Sequence, residues 1–226
     1  IDEIIARFAP FASDVCFPLH PSIDETLYAW RGPKGAAEYR KQLDSLSKKL
    51  YSAGLKTNIL LNANSPESTR FEPLFSYLDD FLDLERHSVT VMSFYLARQL
   101  SRRYPGLQIT SSLTSNVCSP TIARLWKKEA NAWGITPHLG INKKLDELKK
   151  IKRLGLKIKL LVNNDCLPDC PLNMLHHQAH TVGQLAPRAA AASIRDIHKL
   201  CFQIKQADRW LLAQQTIVPR DLPRYA

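Results

Sequence analysis

Short aliphatic or β-branched runs alternate along this chain with segments of helical period, and that alternation restricts the fold more than any other feature. The runs are Val15-Cys16-Phe17, Thr57 to Leu61, Ser88 to Met92, Leu107 to Thr110, the weaker Ile135 to Leu139, and Lys157 to Val162. Between them Tyr39, Leu43, Leu46 and Leu50 fall at helical spacing, as do Ile122, Leu125, Trp126 and Trp133, and Leu145, Leu148, Ile151 and Leu154. Apolar residues spaced in this way line one face of a helix. Most strand starts lie roughly 20–30 residues apart, room for a strand and a crossover helix, so the sheet is expected to be parallel. Gly54, Gly106, Gly134 and Gly155 each stand just before a run, where a helix C-cap belongs.

Six strands so arranged suit a doubly wound sheet or most of an eightfold β/α barrel. A nucleotide-binding sheet would carry a Gly-rich fingerprint in its first βα turn, and eight glycines spread singly along the chain do not make one. The expected fold is therefore α/β, a TIM-like β/α barrel, whole or short of a strand, with its active site at the C-terminal ends of the strands. A strand missing at either end would be supplied by a partner or by chain outside this sequence. The 226 residues read as one barrel domain, 1–226. Within it, 163–192 form a long Pro-, His- and Ala-rich loop, and 193–226 a helix and a Pro-flanked tail.

With 45% hydrophobic and 23% charged residues, the composition is that of a packed globular chain and excludes wholesale disorder, collagen and coiled coil. No apolar run reaches the roughly 20 residues of a membrane helix, so a soluble chain without a membrane span is expected. Thirty-one Lys and Arg against 21 Asp and Glu give +10, which favours anionic partners such as RNA, anionic lipid or an acidic small molecule. The basic clusters, Lys149 to Arg153 among them, read first as solvated helix faces. Five cysteines are too few for a disulfide-stapled scaffold and fit a reducing cytoplasm. Ile1-Asp2-Glu3 has none of the features of a signal peptide and reads as part of a longer chain.

The sharpest motif is Asn163-Asn164-Asp165-Cys166-Leu167-Pro168-Asp169-Cys170-Pro171, directly after the last strand. Two thiols four residues apart on a Pro-bounded turn can converge on zinc or on an iron–sulfur centre. His176, His177 and His180 follow, and Cys201 lies about thirty residues past Cys170. Adjacent His176 and His177 point in different directions, so one of them is expected at the site as acid, base or ligand. A zinc ion held by Cys166, Cys170 and these histidines is the rival metal reading. Two unliganded loop cysteines, with Cys201 an ordinary core thiol, is the bland one.

This motif resembles the collagenase-like peptidase family, the U32 group. So do the strand before it, Ile141-Asn142-Lys143-Lys144-Leu145-Asp146-Glu147-Leu148, Leu60-Leu61-Asn62-Ala63, and the Ile217-Val218-Pro219-Arg220-Asp221-Leu222 tail. The resemblance runs from about Val15 to Tyr225. It implies a TIM-like barrel, full or incomplete, carrying a 4Fe-4S cluster held by cysteines. It also implies, for several members, oxygen-independent hydroxylation of the ubiquinone ring or of RNA rather than proteolysis, with prephenate as the oxygen source. By it Cys166, Cys170 and Cys201 are cluster ligands. Cys118 is a candidate fourth, and Cys16, inside a strand, is expected to be a buried thiol. Three cysteines alone would leave one iron open to solvent, substrate or His.

Polar residues after the strands form a further set: Asn62 and Asn64, Ser93, Ser111 and Ser112, Asn163 and Asn164. They are candidates to orient a substrate, and equally candidates for helix caps. Arg31, beside Gly32, lies where family members carry a Gly-Arg-rich loop and could clamp a carboxylate or phosphate. No Gly-x-Ser-x-Gly or His-Glu-x-x-His occurs. The functional expectation is thus an iron–sulfur enzyme, a hydroxylase or related oxidoreductase acting on a small molecule or RNA. The alternatives are a non-catalytic RNA- or partner-binding subunit, its partner completing the barrel, and a metallopeptidase.

Overall fold

The computed structural model describes residues 2–18, 36–62, 71–162, 170–173, 175–176, 187–207 and 216–225. Its elements are α1 (Asp2–Phe8), β1 (Asp14–Pro18), α2 (Ala36–Ser52), β2 (Lys56–Leu61), α3 (Glu72–Asp79), β3 (His87–Val91) and α4 (Phe94–Arg103). There follow β4 (Ile109–Ser111), α5 (Pro120–Ala130), β5 (Gly134–Ile135), α6 (Leu145–Lys152), β6 (Lys157–Ile158) and α7 (Pro187–Ala207). Strand order is β1-β2-β3-β4-β5-β6, and β1–β2, β2–β3 and β5–β6 are parallel pairs. Sequential strands with helical crossovers are the connectivity of an incomplete TIM-like β/α barrel. No helix among the described residues is long and apolar enough to cross a membrane.

The chain divides into two compact units, Ile1–Thr110 and Ser111–Ala226, with the boundary inside β4. In the first, strand alternation sets two faces. Phe17, Ile59 and Val89 share one register row, and Cys16, Asn58 and Ser88 the next, on the opposite face. The first face meets the helices: His87 of β3 contacts Ser47 of α2, and Leu43 and Leu50 of α2 are buried with Ile59, Leu61, Val89 and Val91. Leu96, Ala97 and Leu100 bury one stripe of α4.

In the second unit Ala123, Trp126 and Ala130 of α5 and Leu148 and Ile151 of α6 form the helix side of the core. Leu125, expected on the buried stripe, is 48% exposed. Gly54 and Gly155 end their helices at φ +79° and +77°, a conformation that favours glycine. Gly134 does not; it opens β5, and Asn131 supplies the left-handed cap of α5 at φ 47°. Two runs are shorter than their composition suggested. Pro137 has no N–H for a ladder, and the chain past Thr136 turns into a 3-10 segment, Leu139–Ile141. With β5 cut short, β6 ends at Ile158.

Candidate functional site

The candidate ligands sit on two elements of the second unit. Pro171 and Leu172 form a turn after Cys170, in which Asn173 N–H bonds the Cys170 carbonyl at 3.0 Å and His176 N–H the Leu172 carbonyl at 2.7 Å. Helix α7 carries His198 and, one turn on, Cys201. The two elements meet through imidazoles: His176 Nε2 and His198 Nε2 are 3.1 Å apart, their rings edge to face at 5.0 Å. Such a contact needs one ring to donate its N–H and the other to accept. Residues i and i+3 share a helix face, so the ring that meets His176 and the Cys201 thiol lie on the same side of α7.

Cys170 and Cys201 are free and half-buried, whereas Cys118 is exposed just before α5. Among the described residues no three His, Cys, Asp or Glu side chains stand together as a metal site. The donors still suit one. Two imidazole nitrogens bound to one tetrahedral ion at about 2.0–2.1 Å would lie about 3.3 Å apart, close to the spacing here. Thiolate with imidazole also suits zinc or an iron–sulfur centre. Cys166, His177, Asn163, Asn164 and Arg31 lie outside the described residues, as do Asn64 and His180. His198 escaped the sequence reading, although its place three residues before Cys201 on a helical segment was the signal that could have found it.

Two of the three strand-end serines turn out to be caps. Ser93 Oγ accepts the Leu96 N–H of α4, and Ser112 Oγ the Thr114 N–H at the start of the 3-10 turn Leu113–Ser115. Ser111 Oγ is buried with no partner among the described residues. Asn62 is half-buried after β2.

A second polar grouping lies in the first unit, on the strand face opposite Phe17, Ile59 and Val89. Asn58 Nδ2 donates to Ser88 Oγ at 2.8 Å, and Thr90 Oγ1 donates to Asn58 Oδ1 at 2.7 Å. The Cys16 thiol reaches the same oxygen at 3.7 Å. Cys16 is thus an exposed thiol of a polar row, not the buried one expected. Asn58, Ser88, Thr90 and Thr110 are all buried. Barrel interiors are usually packed with branched aliphatic residues, whereas this row carries amide and hydroxyl groups that bond one another. Nothing in the sequence pattern of β2 marked Asn58.

No protein-family model matches the chain, and no curated protein matches it in sequence. Among solved structures, a U32 peptidase superposes with a TM-score of 0.53 at 19% identity, over 64% of this chain and 60% of that one. The chain therefore has a U32-peptidase-like fold, and its match spans about 60% of the length of that protein. A glycerophosphodiester phosphodiesterase from Parabacteroides distasonis, at 16% identity over 68% of this chain and 63% of that one, reaches a TM-score of 0.40, too low to bear on the fold.

Proposed function

We propose that this protein is an iron–sulfur enzyme, a hydroxylase or related oxidoreductase, whose cluster is held by Cys166, Cys170 and Cys201. The observation that carries the proposal is the 3.1 Å His176–His198 contact, because it ties the turn after Cys170 to the helix bearing Cys201. The U32-like fold supports it at the level of architecture. A bound cluster would supply redox and Lewis-acid chemistry. The chain's own part is to supply the thiolates, Cys170 just before the turn at Pro171 and Leu172 and Cys201 on α7, with Cys166 outside the described residues. The imidazole pair, carried by the same two elements as Cys170 and Cys201, keeps one N–H between two nitrogens, a proton that can be passed at Nε2. His176 and His177 are the residues proposed to meet substrate, with Asn163 and Asn164 to orient it.

Anaerobic purification followed by iron, sulfide and zinc analysis tests this directly. The expected outcome is about four irons and four sulfides per chain with a visible charge-transfer band, both lost in Cys170→Ala and Cys201→Ala with the far-ultraviolet dichroism unchanged. A colourless protein with one zinc per chain overturns the cluster and favours the zinc reading, including the metallopeptidase. The net charge of +10 favours a second reading, a non-catalytic RNA-binding subunit. RNA affinity that falls steeply with salt and is unchanged in both Cys variants would select it.

A further inference from the structure

The second unit contains a cavity of about 560 Å³ between α6, β6 and the C-terminal tail. Its floor is aliphatic: Leu145, Leu148, Leu156, Ile158, Leu160 and Val162. Lys149, Lys152, Lys157 and Arg224 also line it. None of these four cations forms an ion pair with a carboxylate among the described residues, whereas neighbouring Lys150 and Lys143 pair with Glu147 and Asp221. The tail wall is built firmly. Ile217 N–H bonds the Val162 carbonyl at 3.0 Å, Asp221 Oδ2 accepts the Val218 N–H at 3.1 Å, and the Tyr225 hydroxyl donates to the Asn142 carbonyl at 2.8 Å.

Among the described residues, one side of this cavity is an unpaired sheet edge. Lys157 N–H bonds the Trp133 carbonyl at 3.1 Å, and Lys159 N–H the Ile135 carbonyl at 2.9 Å. The alternating geometry of a strand then turns the N–H and C=O of Ile158 and Leu160 away from β5, toward the cavity. No described residue bonds them. Such an edge is a template for another strand. Along it Lys157, Ile158, Lys159 and Leu160 alternate cation and aliphatic, so a strand laid beside it would match if it alternated carboxylate and aliphatic residues.

We propose that this edge and cavity bind an extended acidic segment of a partner protein, paired to β6 through the backbone of Ile158 and Leu160. Its aliphatic side chains share the face of Ile158 and Leu160 and lie on Leu148 and Leu156; its alternating carboxylates share the face of Lys157, and Lys149, Lys152 and Arg224 in the cavity wall supply the surrounding positive charge. A second copy of this chain is the poorer occupant, since a net charge of +10 would bring like charges together. Three or four residues fill the open edge, at about 3.3 Å per residue. The proposal is independent of the metal centre.

The test is titration of the full chain with a fluorescent, terminally blocked octapeptide of alternating Glu and Val, with a Lys–Val octapeptide and a uridine decanucleotide as comparisons. The Glu–Val peptide is expected to bind, with affinity falling at least tenfold between 0.05 and 0.5 M NaCl and at least tenfold in Lys149→Glu/Lys152→Glu. Hydrogen exchange should slow at the Ile158 and Leu160 amides on binding. Ile158→Pro, which removes an N–H that faces the cavity together with one side chain of its floor but no bond to β5, should weaken binding, and by more than Ile158→Ala, which removes the side chain alone. If that variant misfolds, the exchange pattern of the unaltered chain decides. Equal binding of the Lys–Val peptide, no protection of those two amides, or binding of the decanucleotide alone would each overturn the proposal.

Discussion

Lowering the pH should destabilise the first unit through one buried histidine. His87 is fully buried on β3, its ring 4.8 Å from that of Phe81. The Asp83 backbone N–H donates to His87 Nδ1 at 2.9 Å, so Nδ1 must be unprotonated. Nε2 therefore carries the proton and donates to Ser47 Oγ at 2.8 Å. The folded protein holds this imidazole neutral; burial first, and then the nearby Arg86 guanidinium, push it down from 6.5 to about 4. The folded pKa lies below the unfolded one, so the unfolded chain binds the extra proton. The stability tied to the neutral ring is complete above pH 6.5 and is lost as the pH falls toward 4. Between pH 7 and 4.5 the loss comes to about 2.5 kcal/mol, from the linkage relation applied to that displacement. Asp83, held down to about 2 chiefly by its hydrogen bond from Arg86, gives up its share only between 3.8 and 2, below this window. His87→Gln has no such titration. Urea denaturation of both proteins at pH 7 and 4.5 isolates the effect, because every other titrating group is common to them. The wild-type advantage at pH 7 should shrink by about 2.5 kcal/mol at pH 4.5. A difference between the two proteins that is the same at both pH values would refute the neutral buried ring.

Three further substitutions test the packing. Ser47→Ala leaves the His87 Nε2–H buried without an acceptor and should cost about 1–3 kcal/mol in urea denaturation. Asn58→Ala removes the bonds to both Ser88 and Thr90 and should cost about 2–3 kcal/mol; a variant as stable as the parent would mean that the polar row contributes nothing. At Gly155, with φ +77° and open space where a Cβ would stand, substitution by Ala meets no clash. It should still cost about 1 kcal/mol for the left-handed backbone alone, and Gly155→Asn should cost less.

Periodicity reveals which face a segment buries, and so the first three strands, α2 and α6 were legible from aliphatic spacing alone. It does not reveal hydrogen-bond supply. Runs that read as strands through Leu139 and Val162 stop at Ile135 and Ile158, because Pro137 denies the ladder a donor and no bond between β5 and β6 is described beyond that of Lys159. Lys149 and Lys152 are spaced as a solvated helix face would be; what makes them a cavity wall is the C-terminal tail, more than sixty residues away in sequence. The site was legible to the same degree. Spacing grouped Cys166 with Cys170, since only three residues separate them in the sequence. The pairing of His176 with His198 joins elements 22 residues apart, and the Asn58 row depends on a register between strands separated by entire helices. Contacts of that kind follow from how elements dock, which pattern along one chain does not encode. A cluster or zinc centre built on them therefore predicts a specific coupling: removing His198 should loosen the turn after Cys170. His198→Ala should raise amide exchange at Asn173 and His176 and lower metal content together, while Cys118→Ala, exposed before α5, should change neither. Faster exchange with metal content unchanged would separate the imidazole contact from the metal centre and leave it a structural clasp.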